Sequence, residues 1–228
     1  MFARHNWGIA AEEAAGAAPA PRVGGDTSQH QVSIRRAVGE SAWNRLPEAV
    51  RERFSDNCRQ AQFAGSFEVV RASCAGRLLA HVCRLIGTPI VPGVGMHIPA
   101  RVYVYADDRG GMVWKREYAF PARRPYVVTS TKCADGERGL IETLPFGLQM
   151  PLEVYERAGT LNFVSDGYFF NWLGLRLRVP DFLPPGRTHV QHIDEGGGWF
   201  RFTMTVTHRW LGEVYFQTGR FRAAGEAP

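Results

Sequence analysis

From Trp199 to His208 the chain alternates without a break. Phe200, Phe202, Met204 and Val206 are apolar, and Arg201, Thr203, Thr205 and Thr207 between them are polar. A period of two is that of a strand with one buried face. The run is interrupted at Leu211-Gly212-Glu213 and resumes at Val214-Tyr215-Phe216, which predicts a hairpin. The same alternation recurs upstream, where Val102 and Val104 oppose Arg101, Tyr103 and Tyr105. After the turn Asp107-Asp108-Arg109-Gly110-Gly111, residues Met112, Trp114, Arg116, Tyr118 and Phe120 share one face. Further strands are predicted at Pro125 to Lys132, Gly139 to Leu144, Gly147 to Tyr155, Thr160 to Ser165 and Thr188 to Ile193. An earlier one, Phe67 to Ala72, would put Phe67, Val69 and Arg71 on one face.

The helical period is confined to two stretches. Trp43, Leu46, Val50 and Phe54 fall at steps of three and four, which predicts one short turn before Pro47 and a helix after it. Leu78, Leu79, Val82, Leu85 and Ile86 predict a helix over Gly76 to Ile86, stopped by Gly87 and Pro89, with Arg77, His81 and Arg84 on its other side. The aromatic segment Tyr168 to Pro185 reads as an ordered cover over an opening or a sheet face.

These elements give a mainly β (α+β) protein: a strongly curved antiparallel sheet or incomplete barrel of about eight to ten strands. One or two helices would pack at its mouth or open side. Residues 1–38, rich in Ala, Gly and Pro, read as a flexible arm, residues 39–223 as a single β-rich domain and 224–228 as a tail.

Charge narrows the partners. The net charge of +5 is almost all arginine, since Lys115 and Lys132 are the only lysines. The arginines are scattered, without a basic run interleaved by aromatics, so nucleic acid is not an expected partner. No apolar run has the length of a membrane span, and Glu12 and Glu13 fall where a signal peptide is apolar. A cytoplasmic protein is expected. Cys58, Cys74, Cys83 and Cys133 form no zinc spacing and read as reduced, packed thiols. His189 and His192 fall on opposite faces of a regular strand, so no shared metal is expected. No nucleophile elbow, phosphate loop or dinucleotide fingerprint is present, and no cofactor is expected.

Two charges occupy positions that the alternation assigns to apolar faces. Arg116 lies among Met112, Trp114, Tyr118 and Phe120, and Glu142 lies between Leu140 and Leu144. A lone buried charge costs several kcal/mol. An interior ion pair of Arg116 with Glu142 accounts for both, as does a ligand-facing role at a wet cavity or a strand read one residue out of register. His208 ends the apolar face that begins at Phe200, either as a satisfied core residue or as a proton carrier.

The order of features resembles a bacterial family catalogued as domain of unknown function 4166. The resemblance is carried by Gly65 to Pro89 with its Leu-Ile-Gly-Thr-Pro ending, Trp114-Lys115-Arg116, Gly174 through Pro184-Pro185, Gly198-Trp199-Phe200-Arg201-Phe202 and the break at Leu211-Gly212. It spans roughly Ala42 to Phe221. The Tyr-x-Gly usual near the end of that family stands here as Phe216-Gln217-Thr218-Gly219. Family members occur alone or fused to reductases of the saccharopine-dehydrogenase type, which implies a small-molecule pathway and a reductase of that pathway as a partner.

Three functions follow as expectations. The first is binding of a hydrophobic or amphipathic small molecule, lipid-like or polyketide-like, against Trp114, Tyr118, Phe120, Phe200, Phe202 and Met204, oriented by Arg116, Glu142 and His208. The second is a cofactor-independent cyclase or isomerase in the same cavity, with Arg116 stabilising an enolate or carboxylate and His208 or Glu142 moving the proton. The third is a peripheral domain whose Arg77, His81 and Arg84 edge meets an acidic partner or a membrane surface.

Overall fold

The computed structural model describes residues 32–84, 90–121, 124–136, 139–172, 175–180 and 183–225. Their strands are β1 (Gln60–Ala72), β2 (Gly95–Ala106), β3 (Met112–Tyr118), β4 (Tyr126–Asp135), β5 (Gly139–Thr143), β6 (Leu148–Arg157), β7 (Thr160–Ser165), β8 (Phe169–Trp172), β9 (Leu175–Arg178), β10 (Arg187–Gly196), β11 (Trp199–His208) and β12 (Gly212–Ala223). Each pairs antiparallel with its neighbours, in the order β5-β4-β3-β2-β1-β12-β11-β10-β7-β6. A further pairing of β5 with β6, Leu140 opposite Leu152 and Thr143 opposite Gln149, closes these ten strands into a barrel. The curved sheet is therefore closed rather than incomplete. β8 and β9 form a hairpin added to the start of β6, within the aromatic segment read as a cover.

Closure sorts the alternating residues. Phe200, Phe202, Met204 and Val206 are buried, whereas Arg101, Lys115, Glu117, Arg201 and Arg220 stand on the outward positions. This is the reverse of the apolar-out pattern of strands that face lipid. A barrel of eight strands is just wide enough for side chains to fill, and width grows with strand number. Ten strands leave a wider interior, filled here by large rings from β1, β3, β7, β11 and β12.

β1 begins earlier than the pattern suggested and carries a bulge between Phe67 and Val69. The extra residue reverses the alternation. Phe67 and Val70 are buried while Arg71 is exposed, so Phe67, Val69 and Arg71 do not share a face.

The two ends of the barrel are covered differently. At the end formed by the β2–β3, β6–β7 and β10–β11 turns sit α1 (Ile34–Val38), α2 (Glu40–Trp43) and α3 (Glu48–Arg53). The Val32 N–H donates to the Gly110 carbonyl at 3.1 Å, and Arg45 pairs with Glu156 at 2.6 Å. Trp43, Leu46, Val50 and Phe54 are all buried, as their helical spacing implied. Val32 and Ile34 are buried with them, so the described end of the N-terminal arm belongs to this cap. At the other end lies α4 (Cys74–Arg84), whose Gly76 sits so close to the Val214 backbone that a Cβ would fall 1.9 Å from its carbonyl oxygen. This helix packs through Gly76 and Ala80 and leaves Leu78 exposed. The expected apolar stripe thus does not lie wholly against the barrel. Val82, Leu85 and Ile86, which share that stripe, and Arg84 opposite it, fall outside the described side chains.

Candidate functional site

Three neighbouring strands bring charge into the interior. Arg116 on β3 stands opposite Val102 and Val128, Lys132 on β4 opposite Met112 and Glu142, and Glu142 on β5 opposite Met150. Directly opposed residues project to the same face. Arg116, Lys132 and Glu142 are each no more than 8% exposed. The Lys132 Nζ lies 3.4 Å from a Glu142 oxygen, and Arg116 donates to the Ser130 hydroxyl at 3.4 Å. The direct partner of Glu142 is therefore Lys132 rather than Arg116. The pairing follows from register, since Lys132 and Glu142 face each other across β4 and β5.

Burial alone would raise the Glu142 carboxyl. The Lys132 and Arg116 charges and a hydrogen bond from Ser130 outweigh it and hold the group below the usual carboxylate range. Burial pushes the Lys132 ammonium down, with Glu142 opposing the shift and Arg116 adding to it. Two cations thus face one carboxylate inside the barrel.

His192, on β10 between Leu161 and Phe202, completes the ring of polar groups. Burial, with Arg53, Lys132 and Arg116 nearby, drives its imidazole well below the ordinary range, so it is neutral at pH 7. Its Nδ1 and the Trp114 Nε1 are buried and have no hydrogen-bond partner among the described residues. Tyr118, Gln217 and Tyr215 form the far edge: the Tyr215 hydroxyl donates to the Gln217 Oε1 at 2.8 Å and the Tyr118 hydroxyl to the same oxygen at 3.3 Å. Burial raises both phenols, so they remain donors.

These groups surround a cavity of about 20 Å3, room for roughly one water. A second void of about 10 Å3 adjoins it across Trp114, Arg116 and His192. A third of about 20 Å3 lies toward the cap, bounded by Arg53, Phe54, Trp114 and Lys132. Phe54 lines the first and the third. It is the C-cap of α3 and reaches into the barrel mouth, with ring centroids 4.8 Å from His192 and 5.8 Å from Trp114 and Phe163. Arg53 beside it stacks 3.8 Å over Phe200. Burial lowers Arg53 to about 10, with Asp194 opposing.

Of the residues singled out by sequence, Trp114, Arg116, Tyr118, Glu142 and Met204 line the first cavity. Phe200 and Phe202 line the adjoining void. Phe120 and His208 line neither. Phe120 follows the end of β3 and stacks on Tyr118 at 6.2 Å, and His208 accepts the Trp210 N–H on Nδ1 at 3.2 Å at the far end of β11. Lys132, His192, Gln217 and Phe54 were missed. Lys132 shares an inward face with Val128 and Ser130, but Ser130 is polar and masks that face in the sequence.

The family model described as Domain of unknown function (DUF4166) matches residues 46–221. The chain belongs to the DUF4166 family. No curated protein and no solved structure shows a match. The DUF4166 match begins at Leu46, within the cap between α2 and α3, and runs through β12 as far as Phe221. It includes every strand of the barrel, the charged groups, and Phe54. The DUF4166 unit is thus the barrel together with the helix that plugs it, whereas α1 and α2 lie before the match.

Proposed function

We propose that this DUF4166 barrel binds a small amphipathic molecule, lipid-like or polyketide-like, through an anionic or strongly polarised oxygen held by Arg116 and Lys132. One observation carries the reading. Two buried cations share one carboxylate, beside Trp114 and His192 atoms that no group among the described residues satisfies. Each unsatisfied buried polar group costs about 1–3 kcal/mol, and an unbalanced buried charge costs more. An oxygen-rich head placed against Arg116, Lys132, the Trp114 Nε1–H and His192 would offset those costs. The head would occupy the first cavity and the adjoining void. The body would take the place of Phe54, whose withdrawal joins the cavity to the void beneath the cap. Ligand entry is in this reading a displacement of the plug. Service to a small-molecule pathway alongside a reductase is the setting that the family resemblance supports.

The test uses a fluorescent amphipathic carboxylate. The wild-type chain is expected to bind it in 1:1 ratio, Arg116→Leu and Lys132→Met to bind it at least about tenfold more weakly, the loss expected for one charge-assisted hydrogen bond, and Phe54→Ala to bind it faster. Equal binding by the Arg116 and Lys132 variants would overturn the assignment of the head group.

A second reading, a cofactor-independent isomerase or cyclase, is favoured by the same wall. Arg116 and the Tyr118 hydroxyl can stabilise a developing oxyanion, and Glu142 or the neutral His192 can carry a proton. Turnover of a bound carbonyl compound that is lost in Glu142→Gln or His192→Phe while binding persists would select it.

A further inference from the structure

The barrel end opposite the cap carries several large apolar side chains that are exposed. Leu183 precedes β10, Trp210 and Leu211 form the β11–β12 turn, Leu78 is on α4 after β1, and Met96 begins β2; their exposures run from 51% to 67%. These positions follow the ring order β10, β11, β12, β1, β2, so they lie on the ends of five consecutive strands. The loops are also tied to each other. Gly186, just after Leu183, sits against the Thr207 and His208 backbone, and Gly76 of α4 sits against Val214. Isolated exposed leucines need no explanation, but several large apolar groups along one rim mark a contact surface.

The charge along this rim is positive. Arg77, Arg187 and Arg209 are exposed beside the apolar groups. Arg71 lies there too, paired with Glu213 at 2.8 Å, the Arg187 guanidinium lies 4.0 Å from the exposed Glu153 carboxylate of β6, and Asp166 is the other described acid on these loops. The Arg209 guanidinium lies over the Trp210 ring, 5.3 Å from its centroid. The apolar groups project from turns and a helix face rather than lining a groove. Tryptophan and leucine on projecting turns, with arginines around them, match the requirements of the bilayer interface. There the rings enter the headgroup region, and the cations meet anionic lipid.

We propose that this rim docks the protein on a membrane surface containing anionic lipid, with Trp210, Leu211 and Leu78 entering the interface and Arg77, Arg187 and Arg209 meeting phosphates. The strand walls stay in water, because their outward positions are charged. This docking stands independently of what the interior binds.

Flotation of the full chain tests it, with vesicles of phosphatidylcholine alone and of phosphatidylcholine mixed with phosphatidylglycerol. The chain is expected to float with the mixed vesicles and far less with the neutral ones, and rising salt should release it. Trp210→Ser with Leu211→Ser should weaken binding to the mixed vesicles on the order of tenfold. Arg77→Ser with Arg209→Ser should remove most of the difference between the two vesicle types. Far-UV circular dichroism confirms that each variant is folded. Failure of the folded wild type to float with mixed vesicles overturns the proposal, as does unchanged binding by the Trp210 and Leu211 variant. Self-association that this variant abolishes, without vesicle binding by the wild type, assigns the rim to a second copy and likewise overturns it.

Discussion

The interior of this barrel has two walls that solve burial in opposite ways. On β1, β11 and β12 rings pack on rings: Phe67 lies 5.1 Å from Phe221, Phe63 lies 5.2 Å from Phe200, and Phe67 stacks on Tyr118 at 4.9 Å. Two glycines make this possible. A Cβ on Gly65 would fall 2.0 Å from the Arg220 carbonyl oxygen, and one on Gly219 would fall 2.5 Å from that of Ser66. On β3, β4 and β5 the same depth holds Arg116, Lys132 and Glu142, with voids beside them. Apolar packing drives folding, whereas a buried ion pair is weak evidence of stability. The aromatic wall therefore accounts for the fold, and the charged wall is where function is to be sought.

Substitutions separate the walls, beginning with the most severe. Gly65→Val places a branched side chain where backbone already lies, so β1 and β12 must part; a loss of at least about 4–5 kcal/mol is expected, enough to abolish a cooperative urea transition. Phe67→Ala should cost about 3–5 kcal/mol by the same denaturation.

On the charged wall the expected pattern differs. Glu142→Leu alone strands Lys132 and Arg116 and should cost about 3–5 kcal/mol, but Arg116→Leu and Lys132→Met together with Glu142→Leu should leave stability unchanged or raise it by about 1–4 kcal/mol. No set of substitutions in the aromatic wall should behave so. A triple variant as damaging as the single one would erase the distinction.

The smallest effect is in pH. The buried His192 imidazole stays neutral while its unfolded counterpart, near 6.5, takes up a proton as pH falls. The unfolded state then binds more protons. Stability is whole above that value and should fall below it by about 1.4 kcal/mol per pH unit, until the folded group titrates. Arg53, Lys132 and Arg116 are the charges that face it. His192→Phe should remove this slope between pH 6 and the range where ordinary exposed carboxylates begin to protonate, about pH 4–5, measured as melting temperature against pH.

The aromatic wall was the more legible in sequence. Phe200, Phe202, Met204 and Val206 announce their face by alternation alone, which is a local property. Charged-wall partners depend on register, which is not. Arg116 and Glu142 stood out because apolar neighbours flanked them, but the residue that pairs with Glu142 is decided by how β4 slides against β5. Lys132 was hidden because Ser130, its inward neighbour, is polar and broke the alternation. The bulge after Phe67 reversed the reading of Val69 and Arg71, and one extra residue leaves no mark in composition. Phe54 was correctly placed on a buried helix stripe, yet its entry into the barrel comes from how α3 seats on the mouth. His208 and His192 both occupy inward positions, and only the length of β11 carries His208 away from the cavity.

Mass spectrometry of the protein purified and sprayed under native conditions tests the role of the charged wall most directly. Binding by Arg116 and Lys132 predicts one small acidic molecule retained by the wild-type chain and absent from the folded Arg116→Leu, Lys132→Met variant. A wild-type chain that carries only its polypeptide mass, or a variant that retains the same adduct, would contradict it.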